Sequence, residues 1–120
     1  MFRQTTISIL LFLLTACGTY DGSVSVGDVT TEQSIVLKNS KGGRVYSYSI
    51  RGTGHIDGKA TATLMLDGKP YRTEQLDGPV RFKWGGDWYS DTAVIVYRPD
   101  GVRSGTLIIE YGFRTTGERG

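Results

Sequence analysis

This chain carries few of the groups that do covalent chemistry. Among its 120 residues there is one cysteine and one histidine. Zinc sites draw three or four ligands from Cys, His and carboxylates, so no metal centre is expected. No run approaches the roughly 20 apolar residues of a membrane-spanning helix; the longest, residues 7–16, has ten. Neither sign of charge dominates, with 14 basic against 12 acidic residues. A nucleic-acid binder shows a strong basic excess, so that partner class is not expected. Prolines number three, and after residue 17 no segment keeps a helical period.

The residues that could be read as catalytic are isolated. His55 lies in Arg51-Gly52-Thr53-Gly54-His55-Ile56-Asp57-Gly58, where Asp57 could orient it as a base. Asp57 precedes a glycine, however, and reads as a turn residue, and no serine sits in a nucleophile motif. Gly52-Thr53-Gly54 lacks the third glycine and the following helix of a dinucleotide fingerprint. Asp87, Ser90 and Asp91, with Asp77 further off, could supply oxygen ligands to calcium, but without EF-hand spacing they read as turn carboxylates. No catalytic residue, no metal and no cofactor is therefore expected, and the chain reads as a non-enzyme.

What is present begins at the amino terminus. Met1-Phe2-Arg3-Gln4-Thr5-Thr6 carries one positive charge, Ile7 to Leu14 is apolar, and Leu14-Thr15-Ala16-Cys17 follows. A charged n-region, a short h-region and small residues before a cleavage point make a secretory signal. The closing tetrapeptide resembles the lipobox of bacterial lipoproteins: an aliphatic residue, two small residues, then cysteine. The resemblance implies that Cys17 takes a diacylglyceryl group on sulfur, that cleavage falls before it, and that the new amino terminus is acylated, with palmitate-type chains as the lipid. Lipidation also accounts for a lone cysteine in an exported chain. One acyl chain holds a protein only marginally, whereas two or three anchor it firmly. Gly18 stands where an aspartate would favour retention in the inner membrane. The implied location is therefore the outer membrane, facing the periplasm, and the implied partner is the lipid bilayer.

Removal of residues 1–16 leaves 104 residues, enough for one domain. Residues 17–33, rich in Gly, Ser, Thr and Asp, read as a lipidated terminus and flexible tether with an end-to-end span of roughly 20–24 Å. An edge strand over Ser23-Val24-Ser25-Val26 is the alternative. Residues 34–117 read as the folded domain. Strands are expected at 34–38, 44–51, 59–66, 70–76, 79–84, 92–98 and 104–113. Val80, Phe82 and Trp84 alternate with Arg81 and Lys83, and Ala60, Ala62, Leu64 and Leu66 share a face against Thr61 and Thr63. Residues 92–97 are apolar on both faces and suit a central strand, while 69–75, with Pro70, suit an edge. Asp-Gly pairs punctuate the strands, and Asp67-Gly68 and Asp100-Gly101 are the hairpin candidates. Seven short strands with this spacing predict an all-β fold, an antiparallel β-sandwich with a small barrel as the alternative.

The most distinctive stretch of the domain is Phe82-Lys83-Trp84-Gly85-Gly86-Asp87-Trp88-Tyr89-Ser90-Asp91. Trp84, Asp87, Trp88 and Tyr89 are the candidate binding residues, because aromatics beside polar groups supply large contact area at low entropy cost. Trp84 is expected inside, with Trp88 or Tyr89 partly exposed. Tyr46 and Tyr48 could line a wet sheet face or pack in the core. The expected function is a membrane-anchored envelope lipoprotein whose β-domain binds an envelope protein, with inhibitor or exclusion factor as a narrower form. The alternative is a carbohydrate or small-ligand module using the 84–91 loop, which requires Trp88 and Tyr89 side by side and exposed.

Overall fold

The computed structural model describes residues 20–117, and the signal peptide, Cys17 and the lipobox lie outside them. Within them the chain is all-β and antiparallel. Six strands follow in order: β1 (Gly22–Ser25), β2 (Gln33–Lys38), β3 (Arg44–Leu66), β4 (Lys69–Asp87), β5 (Thr92–Asp100) and β6 (Gly105–Thr116). They form one sheet in the order β1-β6-β3-β5-β2, with β4 on the other edge of β3.

Two strands are far longer than the sequence pattern predicts. The segments expected at 44–51 and 59–66 are one 23-residue strand, and those at 70–76 and 79–84 are one 19-residue strand. The β3–β4 hairpin closes at Asp67-Gly68, where both residues take positive φ (53° and 77°), as a two-residue hairpin turn requires. Midway along it the register slips: His55 faces Pro79 and Lys59 faces Asp77, so three residues of β3 stand opposite Gly78 alone. The bulge bends the hairpin and divides the sheet. Before the bend β3 pairs with β6, from Arg44↔Thr116 to Ile56↔Gly105; after it β3 pairs with β5, from Lys59↔Asp100 to Met65↔Val94. One half is therefore β1-β6-β3-β4 and the other β4-β3-β5-β2, continuous through the hairpin.

The two halves enclose one core. Tyr48, Ile50, Ile56, Ala60, Ala62 and Leu64 of β3, Val80, Phe82 and Trp84 of β4, Ile35 and Leu37 of β2, Ala93, Ile95 and Tyr97 of β5, and Leu107, Ile109 and Phe113 of β6 are all buried in it. The inward positions recur every second residue, the alternation read from the sequence. β5 is central, between β3 and β2, and β4, which pairs only with β3, is an edge strand, its polar part over 69–75 included.

Three expectations are corrected. Asp100-Gly101 is not a hairpin turn between paired strands. Residues 101–104 pass around the bend, with the Asp57 N–H donating to Ser104 O (2.8 Å) and the Arg103 N–H to Asp57 O (2.9 Å). β5 and β6 thus pair with successive stretches of one edge of β3. Asp57-Gly58 and Asp77-Gly78 do not separate strands either but form the bend inside them.

The third correction concerns the tether over 17–33. From Tyr20 onward this segment is part of the fold. β1 pairs with β6 from Gly22↔Tyr111 to Ser25↔Ile108, Val26 and Val29 are buried, and the Phe113 N–H donates to Asp21 Oδ2 at 2.9 Å. Its polar composition hid this because an edge strand is held mainly by backbone bonds, with few apolar side chains to announce it. Between β1 and β2, Asp28 Oδ1 accepts from Thr30 N (3.0 Å) and Thr30 Oγ1 (2.6 Å), and these bonds lower its pKa from the ordinary value. The buried Tyr97 hydroxyl donates to Val29 O at 2.7 Å and pins this connection over the core, and burial raises the phenol's pKa. Tyr97→Phe is expected to cost about 1–3 kcal/mol in urea unfolding, because the Val29 carbonyl would stay buried without its donor. A loss below a few tenths would mean that water replaces the bond.

Candidate functional site

The distinctive aromatic stretch occupies one end of the sandwich, where β4 runs out and crosses to β5. Trp84 is 5% exposed and faces the core, its ring 4.7 Å from that of Phe82. Its Nε1–H reaches Glu74 Oε1 at 3.4 Å. This is the interior placement read from the β4 alternation. Asp87 ends β4 and is exposed.

Trp88 and Tyr89 part company. Trp88 is 4% exposed and plugs the end of the core. Its Nε1–H donates to Thr92 O at 3.0 Å, its backbone N–H to Tyr46 O at 3.2 Å, and its ring meets Tyr48 edge-on at 5.2 Å. Tyr89 is 77% exposed. The arrangement needed for a two-ring stacking platform, with Trp88 and Tyr89 both open, is not formed. The indole is drawn inward because its large apolar area and its single N–H are both satisfied there.

Two further tyrosines complete the end. A register shift between Val45 and Ser47 turns Tyr46 outward while Tyr48 points in, so each reading of that pair holds for one residue. Tyr71, on the polar edge part of β4, is 49% exposed, with its ring 6.2 Å from Trp88. Of the six large hydrophobic side chains exposed among the described residues, Tyr46, Leu66, Tyr71 and Tyr89 lie at this end. Leu66, Asp67, Tyr71, Asp87, Trp88, Tyr89 and Ser90 line a hollow of about 430 Å³. Sequence reasoning missed Tyr71 as a member. Its neighbours are polar, and only the length of the hairpin carries it back over Trp88.

Beneath the hollow, the buried Tyr48 hydroxyl has no partner in hydrogen-bond geometry. Burial raises its pKa, and the positive charge of Arg72 partly opposes the rise. Ser90 and Asp91 serve the loop: Ser90 Oγ accepts from Thr92 N at 3.2 Å, and Asp91 Oδ1 from Asn39 Nδ2 at 3.2 Å. Among the described residues no three His, Cys, Asp or Glu side chains converge on a metal position. His55 lies elsewhere, exposed on β3 between Pro79 and Thr106, while Asp57 pairs with Arg103 at 3.4 Å. The two do not form a dyad.

No family model matches the chain, and no curated protein sequence matches it. Among solved structures it is similar to one described as "CBM4 structure and function", a carbohydrate-binding module. The TM-score is 0.42 at 9% identity, over 80% of this chain and 74% of the other. At that distance the likeness carries no inference about function.

Proposed function

We propose that this chain is a membrane-anchored bacterial envelope lipoprotein, lipidated on Cys17, whose small non-enzymatic β-domain binds another envelope protein through its tyrosine-rimmed end. The observation that carries the binding role is the gathering of Leu66, Tyr71 and Tyr89 around one hollow, with Tyr46 exposed at the same end, while most other apolar residues among those described face the core. Tyrosines of this kind are rigid, amphipathic and over-represented at interface hot spots. The anchor rests on the lipobox-like Leu14-Thr15-Ala16-Cys17, and Gly18 after it favours the outer membrane, periplasmic side. Confinement to a membrane raises the local concentration of a partner in the same envelope, which suits a module with one modest binding surface.

Crosslinking in intact cells tests the binding role, comparing wild type with Tyr71→Ala/Tyr89→Ala. Both side chains are exposed, so the double variant is expected to fold normally and to lose a specific envelope protein present with wild type. Trp88 is left intact because its removal would confound folding with binding. Carbohydrate binding is the second reading, favoured by the carboxylates Asp67 and Asp87 beside Tyr71 and Tyr89 in the hollow. It gains if neither sample yields a protein and only wild type is retained on purified envelope glycans. The anchor has its own test: Cys17→Ser is expected to abolish lipidation and leave the precursor uncut or mislocalised. A variant recovered fully lipidated and membrane-bound would remove the lipobox reading.

A further inference from the structure

The described strands begin close in sequence to Cys17. Asp21 is bonded to β6 through its backbone N–H (to Tyr111 O, 2.7 Å), and its carboxylate holds the Phe113 N–H and pairs with Lys41 at 3.4 Å. Three Cα–Cα steps separate Cys17 from Tyr20, a reach of at most about 11 Å. A domain lipidated at Cys17 therefore cannot stand 20 Å or more off the bilayer, as a free tether over 17–33 would allow.

The chain also shows which side the anchor leaves from. The guanidinium of Arg51 lies 4.9 Å from the centre of the Tyr20 ring. Arg51 belongs to β3, two strands in from β1, and points outward. Tyr20 thus lies over the outer face of the β1-β6-β3-β4 half rather than off its edge.

That face carries a cationic excess. The outward positions of its rows are Arg51 with Lys83 and Glu110, Thr53 with Arg81 and Ile108, and Ser47 with Asp87 and Arg114. Arg51 is paired, donating from Nε (2.8 Å) and Nη2 (2.6 Å) to Glu110 Oε1, which raises its pKa further. Arg81, Lys83 and Arg114 have no ion pair among the described residues. On the outer face of the opposite half the charges match. Arg98 pairs with Glu32 at 3.3 Å, and Lys59 sits between Asp77 and Asp100, leaving Lys38 as the cation without a facing carboxylate. Ile108, 41% exposed, adds an apolar side chain to the cationic face.

We infer that this face, with Arg81, Lys83 and Arg114, lies flat against the anionic phospholipid surface in which Cys17 is anchored, leaving the tyrosine-rimmed end clear to meet a partner. The inference rests on the lipoprotein reading for the presence of the bilayer. Each cation brought to an anionic surface strengthens contact by about fivefold. Three such contacts, weak in a free protein, become effective once the anchor makes them intramolecular.

The test uses residues 17–120, which hold every described strand and the whole described core, coupled through the single thiol of Cys17 to a maleimide lipid in vesicles. Chemical coupling keeps the outcome independent of whether cells acylate Cys17, which the Cys17→Ser experiment decides separately. Lysine acetylation rates are read by mass spectrometry on neutral phosphatidylcholine vesicles and on vesicles with about 30% phosphatidylglycerol. On the anionic vesicles Lys83 is expected to react about fivefold more slowly than in the free protein, while Lys38 and Lys59 keep their free rates. Salt at about 0.5 M restores the Lys83 rate by screening. So does Arg81→Glu/Arg114→Glu, whose fold is checked by its melting temperature. Lys83 remaining fully reactive, all three lysines slowing alike, or protection confined to Lys69 at the hairpin tip would each overturn the inference.

Discussion

Trp88→Ala is expected to destabilise the domain by about 3–5 kcal/mol, among the largest losses available to one side chain. For a domain of this size that lowers the melting temperature by about 12 °C or more. The indole closes the end of the core, so its removal leaves a cavity beside the buried Tyr48 ring and under Tyr71, which Tyr71 cannot fill without leaving the rim. It also removes the donor to Thr92 O, and with it the contact that seats residues 89–91. The Tyr48 hydroxyl, already without a hydrogen-bond partner, loses its edge-on neighbour. Trp88→Phe separates the two contributions, since it keeps an aromatic ring but no N–H. Tyr89→Ala, one residue on, is expected to change stability by no more than about 0.5 kcal/mol, because that side chain is exposed. A Trp88→Ala loss below about 1 kcal/mol would show that the end of the sandwich is not closed by this ring.

The contrast between these neighbours marks what the sequence could and could not tell. Strand alternation is a local signal, and Val80, Phe82 and Trp84 against Arg81 and Lys83 placed the β4 core face correctly. Residues 92–97, apolar on both faces, were legible as the central strand β5. Past Asp87 the alternation stops, so nothing local ranks Trp88 against Tyr89. Their fates are set by Tyr46, Tyr48 and Tyr71, more than 15 residues away in sequence. The same limit explains Val24, Val26 and Val29. Scattered among polar residues they resemble a linker, and the edge of β6 that receives Val24 and Val26 lies some 80 residues on, as does Tyr97, which holds Val29, some 70 residues on.

Asp-Gly pairs show the limit most sharply. Asp67-Gly68 is a hairpin turn, whereas Asp57-Gly58 and Asp77-Gly78 are the bend of a continuous hairpin. Positive φ at glycine serves a turn and a bulge equally well. What distinguishes them is the chain opposite: at Gly68 the strand reverses into open space and pairs back on itself from Leu66↔Lys69, while Gly101 and Val102 pack against Gly58. Two merged pairs and the added β1 turn the seven expected strands into six, and the antiparallel all-β fold was legible.

Gly58→Ala tests that account. Gly58 has φ of 137°, and a Cβ there would lie 2.6 Å from Gly101 O and 2.7 Å from Val102 Cα. Both obstacles are backbone, held in place by the bonds between Asp57 and residues 103 and 104, so neither can move aside as a side chain could. Backbone strain of about 1–3 kcal/mol and a similar overpacking cost together predict a loss of about 3–5 kcal/mol in urea unfolding. Gly68→Ala is the control. It also has positive φ, 77°, but open space where its Cβ would go, so only the conformational penalty of about 1–2 kcal/mol applies. Both sites follow an aspartate, so a local propensity for the dipeptide cannot explain a difference between them. Equal losses would mean that the β5–β6 connection yields at the bend and that β3 is free to straighten there. A loss at Gly58 at least twice that at Gly68 would place the cost in the close approach of the two backbones, which holds the halves of the sheet at their angle.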